Sequence, residues 1–238
     1  KNYFPKNPPV TEEWEAAFVF HPMMGVSGDL FDFYMTGNTL SGVALFDVSG
    51  HGIASGLVTM LAKSIIFRNF TTRMKEPLNT VLENINGDLI AELEHVDNYL
   101  TGVLLRFHDN IVEYVNAAHP HIMVREASSG DVKKIGSDEH FRNGRFLGIK
   151  SLEGQYDILT FHVDKGDFIL LYSDCLLDGC NMEGDCYGME QMIEVFRALS
   201  PEWSAKQALD VIVDRFYSYC GTHELMDDLT VILLKRVQ

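Results

Sequence analysis

The sequence predicts an α+β fold in which antiparallel β-sheets pack together and helices cover them. Three observations point there. Strands and helices come in blocks (strands, two helices, many strands, two helices, one strand) instead of strict βαβα alternation, which argues against a doubly wound parallel sheet. The chain has 238 residues, 46% of them hydrophobic and 22% charged, so it can bury a sizeable core without a staple. No repeat or low-complexity stretch divides it. One domain is therefore expected over 14–238, with a linker segment over 1–13.

The elements follow in order. "AAFVFHPM" (16–23), "LFDFYMTG" (30–37) and "LSGVALFDVS" (40–49) are rich in β-formers, with "GNTLSG" as the turn between the last two. "IASGLVTMLAKSIIFRNF" (53–70) has helical spacing, with Leu57, Met60, Leu61, Ser64, Ile65 and Phe67 expected along its apolar face. Pro77 opens a second helix over 78–95, whose Leu78, Val81, Leu82, Ile85, Leu89 and Leu93 recur every three or four residues. Strands return at 99–107, 111–119 and 121–127, with "HDN" as a hairpin turn; "GDVKKI" and "GRFLGI" are ambiguous. "QYDILTFHV" (155–163) alternates, and "DFILLYSD" (167–174) is apolar enough for a strand buried on both faces. Helices over 188–199 and 204–220 and a strand over 229–237 complete the chain.

Composition narrows the function classes. Acids outnumber bases 34 to 19, a formal net charge of −15. That field repels phosphate backbones and anionic membranes, so no nucleic-acid partner is expected, and it suits a divalent cation. No apolar run is expected to span a membrane, and "KNYFPKNPPVTEEWEAAF" has no signal-peptide core. The four cysteines form no CxxC pair, so reduced thiols in a cytoplasmic protein are expected over zinc ligands or a disulfide frame. The chain starts without Met, and a longer protein with an upstream sensory segment is expected.

Asp residues occupy the ends of four apolar strands: Asp29 in "SGDLFDF", Asp47 in "ALFDVSGHG", Asp174 in "ILLYSDCLLDG", and Asp227 with Asp228 in "MDDLTVILL". One such Asp ordinarily caps a turn or helix. Four in one domain imply more. A carboxylate at a buried strand end is unfavourable without compensation, and converging carboxylates stay ionised only beside cations. Hard ions such as Mg2+ or Mn2+ take oxygen ligands of this kind, and Gly28 and Gly50 would let backbone come close to them.

These segments also resemble the metal-dependent PPM (type 2C) serine/threonine phosphatases, in their bacterial SpoIIE/RsbU-like branch. The branch pattern of GGD, DVSGHG, AGHP, (T/S)DGLTE and DD(I/L)T stands here as "SGDLFDF", "FDVSGHG", "AAHP" (117–120), "SDCLLDG" (173–179) and "DDLT" (227–230). "GRFLGI" (144–149) and "YG" at 187–188 match two further segments, so the likeness runs from about residue 14 to 238. It implies a sandwich of two antiparallel sheets with helices on both outer faces. It also implies two Mn2+ or Mg2+ ions: Asp47 bridges them, the Val48 carbonyl adds a ligand, Asp174 and Asp227 hold the second ion, and Asp29 lies near the pair. Asp228 aligns with a neighbour of the ligand and ranks below the others. Ser27, Ala118 and Cys175 replace glycines of the pattern, and Asp178 replaces a Glu.

By the same resemblance, a metal-bound water attacks a phosphoserine or phosphothreonine of a protein, with an anti-sigma-factor antagonist as the expected substrate. No covalent nucleophile is required; "Cys-x5-Arg" does not occur, and the carboxylate neighbour of Cys175 should raise its pKa. His51, between two glycines, is the candidate acid for the leaving group, whereas His119 reads as structural. Control is expected through the helix over 53–70, at exposed positions such as Lys63 and Arg68, by an upstream segment or a homodimer contact. The rivals are an inactive regulatory module on the same fold, a phosphodiesterase, and a structural cation-binding domain.

Overall fold

The computed structural model describes residues 4–23, 25–50, 52–94, 96–137, 144–152, 154–222 and 224–238. Ten strands form two five-stranded sheets in which every pairing is antiparallel. Sheet I has the order β1 (Trp14–His21), β10 (Leu229–Arg236), β9 (Phe168–Tyr172), β6 (Met123–Arg125), β7 (Val132–Lys134). Sheet II has the order β2 (Asp29–Thr36), β3 (Thr39–Val48), β4 (Leu100–His108), β5 (Ile111–Ala117), β8 (Ile158–His162). The expected class holds: the sheets pack face to face, with α1 (Ile53–Thr72) and α2 (Leu78–Glu92) over sheet II and α3 (Cys175–Asp178), α4 (Gly188–Arg197) and α5 (Ala205–Cys220) over sheet I.

Alternation along the strands builds three apolar layers. In β3, Val43 and Leu45 point between the sheets, where they meet Phe31, Ile169, Ile232 and Leu234, while Ala44, Phe46 and Val48 point out at α1 and α2. On the opposite face, Leu170, Val231 and Leu233 of sheet I meet Phe196, Leu209, Ile212 and Phe216 of α4 and α5. Strands buried on both faces explain why 167–174 reads as one continuous apolar run.

Helix α1 departs from the sequence reading. Its buried residues are Ser55, Gly56, Val58, Thr59, Ala62, Ile65, Ile66, Asn69 and Phe70, whereas Leu57, Met60 and Phe67, expected inside, are 63%, 49% and 52% exposed. Apolar residues line both sides of this helix, so periodicity alone cannot choose; the small residues choose, because they let the helix approach the sheet. Lys63, expected on the open side, is largely enclosed, donating to the Phe31 carbonyl at 2.9 Å and pairing with Asp32 at 2.9 Å. Arg68 is exposed as expected and pairs with Asp88. By length and hydropathy α1 could cross a membrane, contrary to the expectation above, but half of it is sealed inside the fold. In α2 the expected face is the buried one.

The first 13 residues include more than tether: the Phe4 ring lies 4.7 Å from that of Phe20, centroid to centroid. The short α3 and a one-turn 3-10 segment, Lys150–Leu152, were not foreseen.

Candidate metal centre

The site forms where the two sheets open at one end of the sandwich. Asp29 begins β2 and Asp47 sits one residue before the end of β3, and the two face each other as direct cross-strand partners. By the alternation of their strands both side chains point between the sheets. Across the gap, β9 runs out at Tyr172 into Ser173 and Asp174, and Asp227 and Asp228 lead into β10. Antiparallel pairing of β9 with β10 brings these ends together: Ser173 N donates to the Thr230 carbonyl at 2.9 Å, and Thr230 N to Ser173 Oγ at 2.9 Å.

The acids then separate into two groups. Asp47, Asp174 and Asp227 line a cavity of about 510 Å3, whose other side carries Tyr99, Thr101 and Phe146. Asp29 and Asp228 lie outside it and are buried, 2% and 8% exposed. Asp29 Oδ2 accepts the Thr230 hydroxyl at 2.5 Å, a bond that joins the two sheets. Asp228 is fully engaged: Oδ1 accepts Met23 N at 2.6 Å, and Oδ2 accepts Ser27 Oγ at 2.8 Å and Gly28 N at 2.7 Å. It clamps the β1–β2 loop behind the site. Sequence cannot tell Asp227 from Asp228, because adjacent acids differ only in which way the backbone turns them.

The glycines have separate reasons. A Cβ on Gly28 would stand 2.9 Å from the Val48 carbonyl oxygen, 3.3 Å from that of Gly50 and 3.6 Å from Asp47 Oδ1. Only hydrogen fits there, and Val48 N donates to Gly28 O at 3.1 Å. Gly50 adopts φ +82°, a left-handed turn that a side chain resists. The Val48 side chain itself is buried toward α1, so only its carbonyl is available at this end of the strand.

Among the described residues, the charge of these acids has no basic counterpart. Asp47 is pushed up to about 8, by burial first and then by Asp174, Asp227 and Asp228. Burial, followed by the Asp47 charge, holds Asp29 well above the usual carboxylate range, and burial, then Asp227 and Asp178, raises Asp174. Among the described residues no Lys, Arg or His forms an ion pair with any of these acids. Nor do three His, Cys, Asp or Glu side chains among them converge tightly enough to cage an ion unaided. An open, all-oxygen donor set with excess negative charge fits hard divalent ions that keep several waters; it does not fit zinc in a closed site.

The remaining expectations sort clearly. His119 is 2% exposed, with Thr101 Oγ1 2.9 Å from Nδ1 and the Tyr172 carbonyl 3.2 Å from Nε2. The carbonyl can only accept, so Nε2 carries the proton, and burial depresses the ring to about 4. It is a neutral strut. The Cys175 thiol is pushed up to about 12, by burial ahead of its acidic neighbours, and donates to the Asp227 carbonyl at 3.4 Å. His51 lies outside the described residues. Tyr99 and Phe146, whose rings sit 4.6 Å apart on the cavity wall, were missed as site residues; the strand expected from 99 and "GRFLGI" were the signals near them. A larger groove of about 610 Å3, near Phe4, Phe33 and Phe67, is mostly apolar and contains the neutralised Lys63–Asp32 pair.

The model of the Stage II sporulation protein E (SpoIIE) family matches residues 38–237. The phosphoserine phosphatase RsbP of Bacillus subtilis (strain 168) is 26% identical over 175 residues, covering 72% of this chain. The chain spans 40% and 41% of the lengths of the curated relatives it matches. In structure, the SiaA-PP2C domain of Pseudomonas aeruginosa aligns with TM-score 0.79 at 19% identity, covering 94% of this chain and 86% of that one. The catalytic domain of the serine threonine protein phosphatase PstP, in complex with 2 manganese ions, aligns with TM-score 0.63 at 17% identity over 95% of this chain and 99% of that one. At such identities the structural likeness speaks for the fold.

Proposed function

This chain belongs to the SpoIIE family and has the PP2C-like fold, and from that premise we propose that it is a metal-dependent protein serine/threonine phosphatase. The observation that carries the reading is the convergence of Asp47, Asp174 and Asp227 from two sheets into one open cavity, where none of them forms an ion pair with a basic side chain among the described residues. The manganese-bound structural neighbour supports the same metal class.

Two Mn2+ or Mg2+ ions would supply a water of lowered pKa and neutralise phosphoryl charge. Asp47 and the Val48 carbonyl would hold the ions from the end of β3, and Asp174 and Asp227 would hold them from the facing strand ends of sheet I. Asp29 and Asp228 act one step back. The first ties sheet II to Thr230, and the second holds the loop that carries Gly28. Thr101 and His119, on the cavity wall, form a fixed chain with the Tyr172 carbonyl, while Tyr99 and Phe146 give the apolar wall against which residues flanking a phosphoserine or phosphothreonine would rest. His51 is the proposed proton donor to the departing serine or threonine oxygen, on its sequence position. Cys175 neither attacks nor plugs the site, since its thiol faces the Asp227 backbone.

The test is turnover of p-nitrophenyl phosphate. Activity should require Mn2+ or Mg2+, vanish in EDTA and return with fresh metal. Asp47→Asn should lower kcat by at least about 10²-fold, because a ligand shared by two ions positions both. Turnover that survives exhaustive chelation would refute the metal assignment. No turnover of p-nitrophenyl phosphate with either metal would leave the inactive regulatory module as the better reading.

The natural substrate is proposed to be a phosphorylated anti-sigma-factor antagonist, and a panel of such proteins from one genome tests it directly. A phosphatase unit over 14–238, a cytoplasmic setting, an upstream sensory segment and a homodimer contact belong to the same proposal, on the family resemblance.

A further inference from the structure

Four cysteines fall into two classes. Cys175 and Cys220 are buried, 4% and 1% exposed. Cys180 and Cys186 lie at the surface with their Sγ atoms 3.0 Å apart. The chain leaving α3 folds back here as a small hairpin: Tyr187 N donates to the Gly179 carbonyl at 2.8 Å, Asn181 N to the Asp185 carbonyl at 2.9 Å, and Cys180 pairs with Cys186 between them. That placement makes the two cysteines a non-hydrogen-bonded antiparallel pair, the position where facing side chains come closest and where Cα separations suit a disulfide.

The turn is held independently of the thiols. Asn181 Oδ1 accepts Glu183 N at 3.0 Å and Asp185 N at 2.9 Å, and Gly184 adopts φ +89°. Tyr219 of α5 donates its hydroxyl to the carbonyls of Asp185 and Cys186, 3.2 Å each. The sulfurs are therefore brought together before any oxidation, and closing the bond needs no rearrangement of the chain.

We propose that Cys180 and Cys186 are an oxidation site, a surface dithiol that a hydroperoxide converts to an internal disulfide. Cys186, the exposed partner, attacks the terminal oxygen of the hydroperoxide; an S–O bond forms, the O–O bond breaks and an alcohol or water departs. The Cys180 sulfur then attacks the Cys186 sulfenic acid; the S–S bond forms, the S–O bond breaks, and the hydroxide leaves as water with the Cys180 proton. Two thiols lose two electrons, and the hydroperoxide gains them. A dithiol reductant reverses the bond by exchange. Cys175 and Cys220 take no part, because their sulfurs are walled in. The hairpin follows directly on α3, which Asp174 opens, so the clasp closes one helix turn from the cavity. None of this depends on the phosphatase reading.

The experiment treats the folded protein with hydrogen peroxide, then denatures it in excess iodoacetamide and measures intact and peptide mass. The expected product is two hydrogens lighter, takes up two alkyl groups instead of four, and regains all four sites after dithiothreitol. Cys180→Ser and Cys186→Ser should each abolish the lighter species, and Cys175→Ser should retain it. Four alkylated cysteines after peroxide would overturn the proposal. So would a lighter species that persists in Cys186→Ser, or separate oxygen adducts on the two sulfurs.

Discussion

Ala118 sits at φ +56°, a left-handed conformation that L side chains resist by roughly 1–2 kcal/mol. The family pattern has glycine there, so this chain carries a strain that the pattern avoids. Ala118→Gly is expected to raise stability by about 1 kcal/mol, offset in part by the freer unfolded chain, and urea unfolding measures it. A lower midpoint would mean that the Ala118 methyl contributes packing worth more than the strain. Ser27 shows the opposite outcome of a glycine replacement, since its hydroxyl adds a bond to Asp228. At this scale the sequence was legible where an acid ends a strand. It was not legible where two acids are adjacent, or where a side chain such as Tyr99 enters the cavity from a loop without a motif.

Strand positions came out of the sequence because alternation and β-branched runs are local properties, and α2 came out because its apolar stripe has only one side. Helix α1 did not, being apolar on two sides and seated through its small residues. Gly56 is the closest point: a Cβ there would lie 1.9 Å from Val26 Cγ1, in the loop that leads to Gly28 and Asp29. Gly56→Ala must push that loop, and is expected to destabilise by about 1–3 kcal/mol and to lower kcat, by on the order of 10²-fold if the strand end moves about 1 Å. Gly87 is the control. It lies within α2 with nothing near its missing Cβ, so Gly87→Ala should stabilise by about 1 kcal/mol without changing turnover. Equal behaviour of the two variants in unfolding and kinetic assays would remove the link between α1 and the metal loop. The exposed Ile53, Leu57, Met60 and Phe67 are left as the outward stripe of this same helix, which is where an upstream segment would act.

For the molecule as a whole, the acid cluster is also the seam between the sheets, so its ionisation bears on folding. Asp47 titrates near 8 in the folded chain and Asp29 is raised too, against about 3.9 in the unfolded one. A raised carboxylate stabilises the fold while protonated, and that contribution is lost as pH climbs through the folded value. Metal-stripped protein should therefore lose thermal stability as pH climbs from the unfolded value toward 8, most cleanly between about pH 7 and pH 8, and Asp47→Asn should flatten the slope. His119, depressed to about 4 in the fold against about 6.5 in the unfolded chain, opposes the trend below about pH 7 and adds nothing above it. Added Mn2+ should remove the trend, because the cation favours the ionised form. Melting curves that rise or stay level over this range in EDTA would contradict the electrostatic account of the site.

The order of strands in sheet I has a kinetic consequence. Among the described residues β10, the last strand, lies between β1, the first, and β9. Trp14 pairs with Arg236 and His21 with Leu229, so among the described residues β1 gains its sheet partner only once residues 229–236 have been made. Sheet II, by contrast, has all five strands by His162. On a ribosome the half of the sandwich bearing Asp29 and Asp47 can assemble first. Asp174 follows, and Asp227 and Thr230 arrive with the strand that closes the gap. Closure across so long a span is slow, and until it happens β1 and β9 each present a bare edge to other chains.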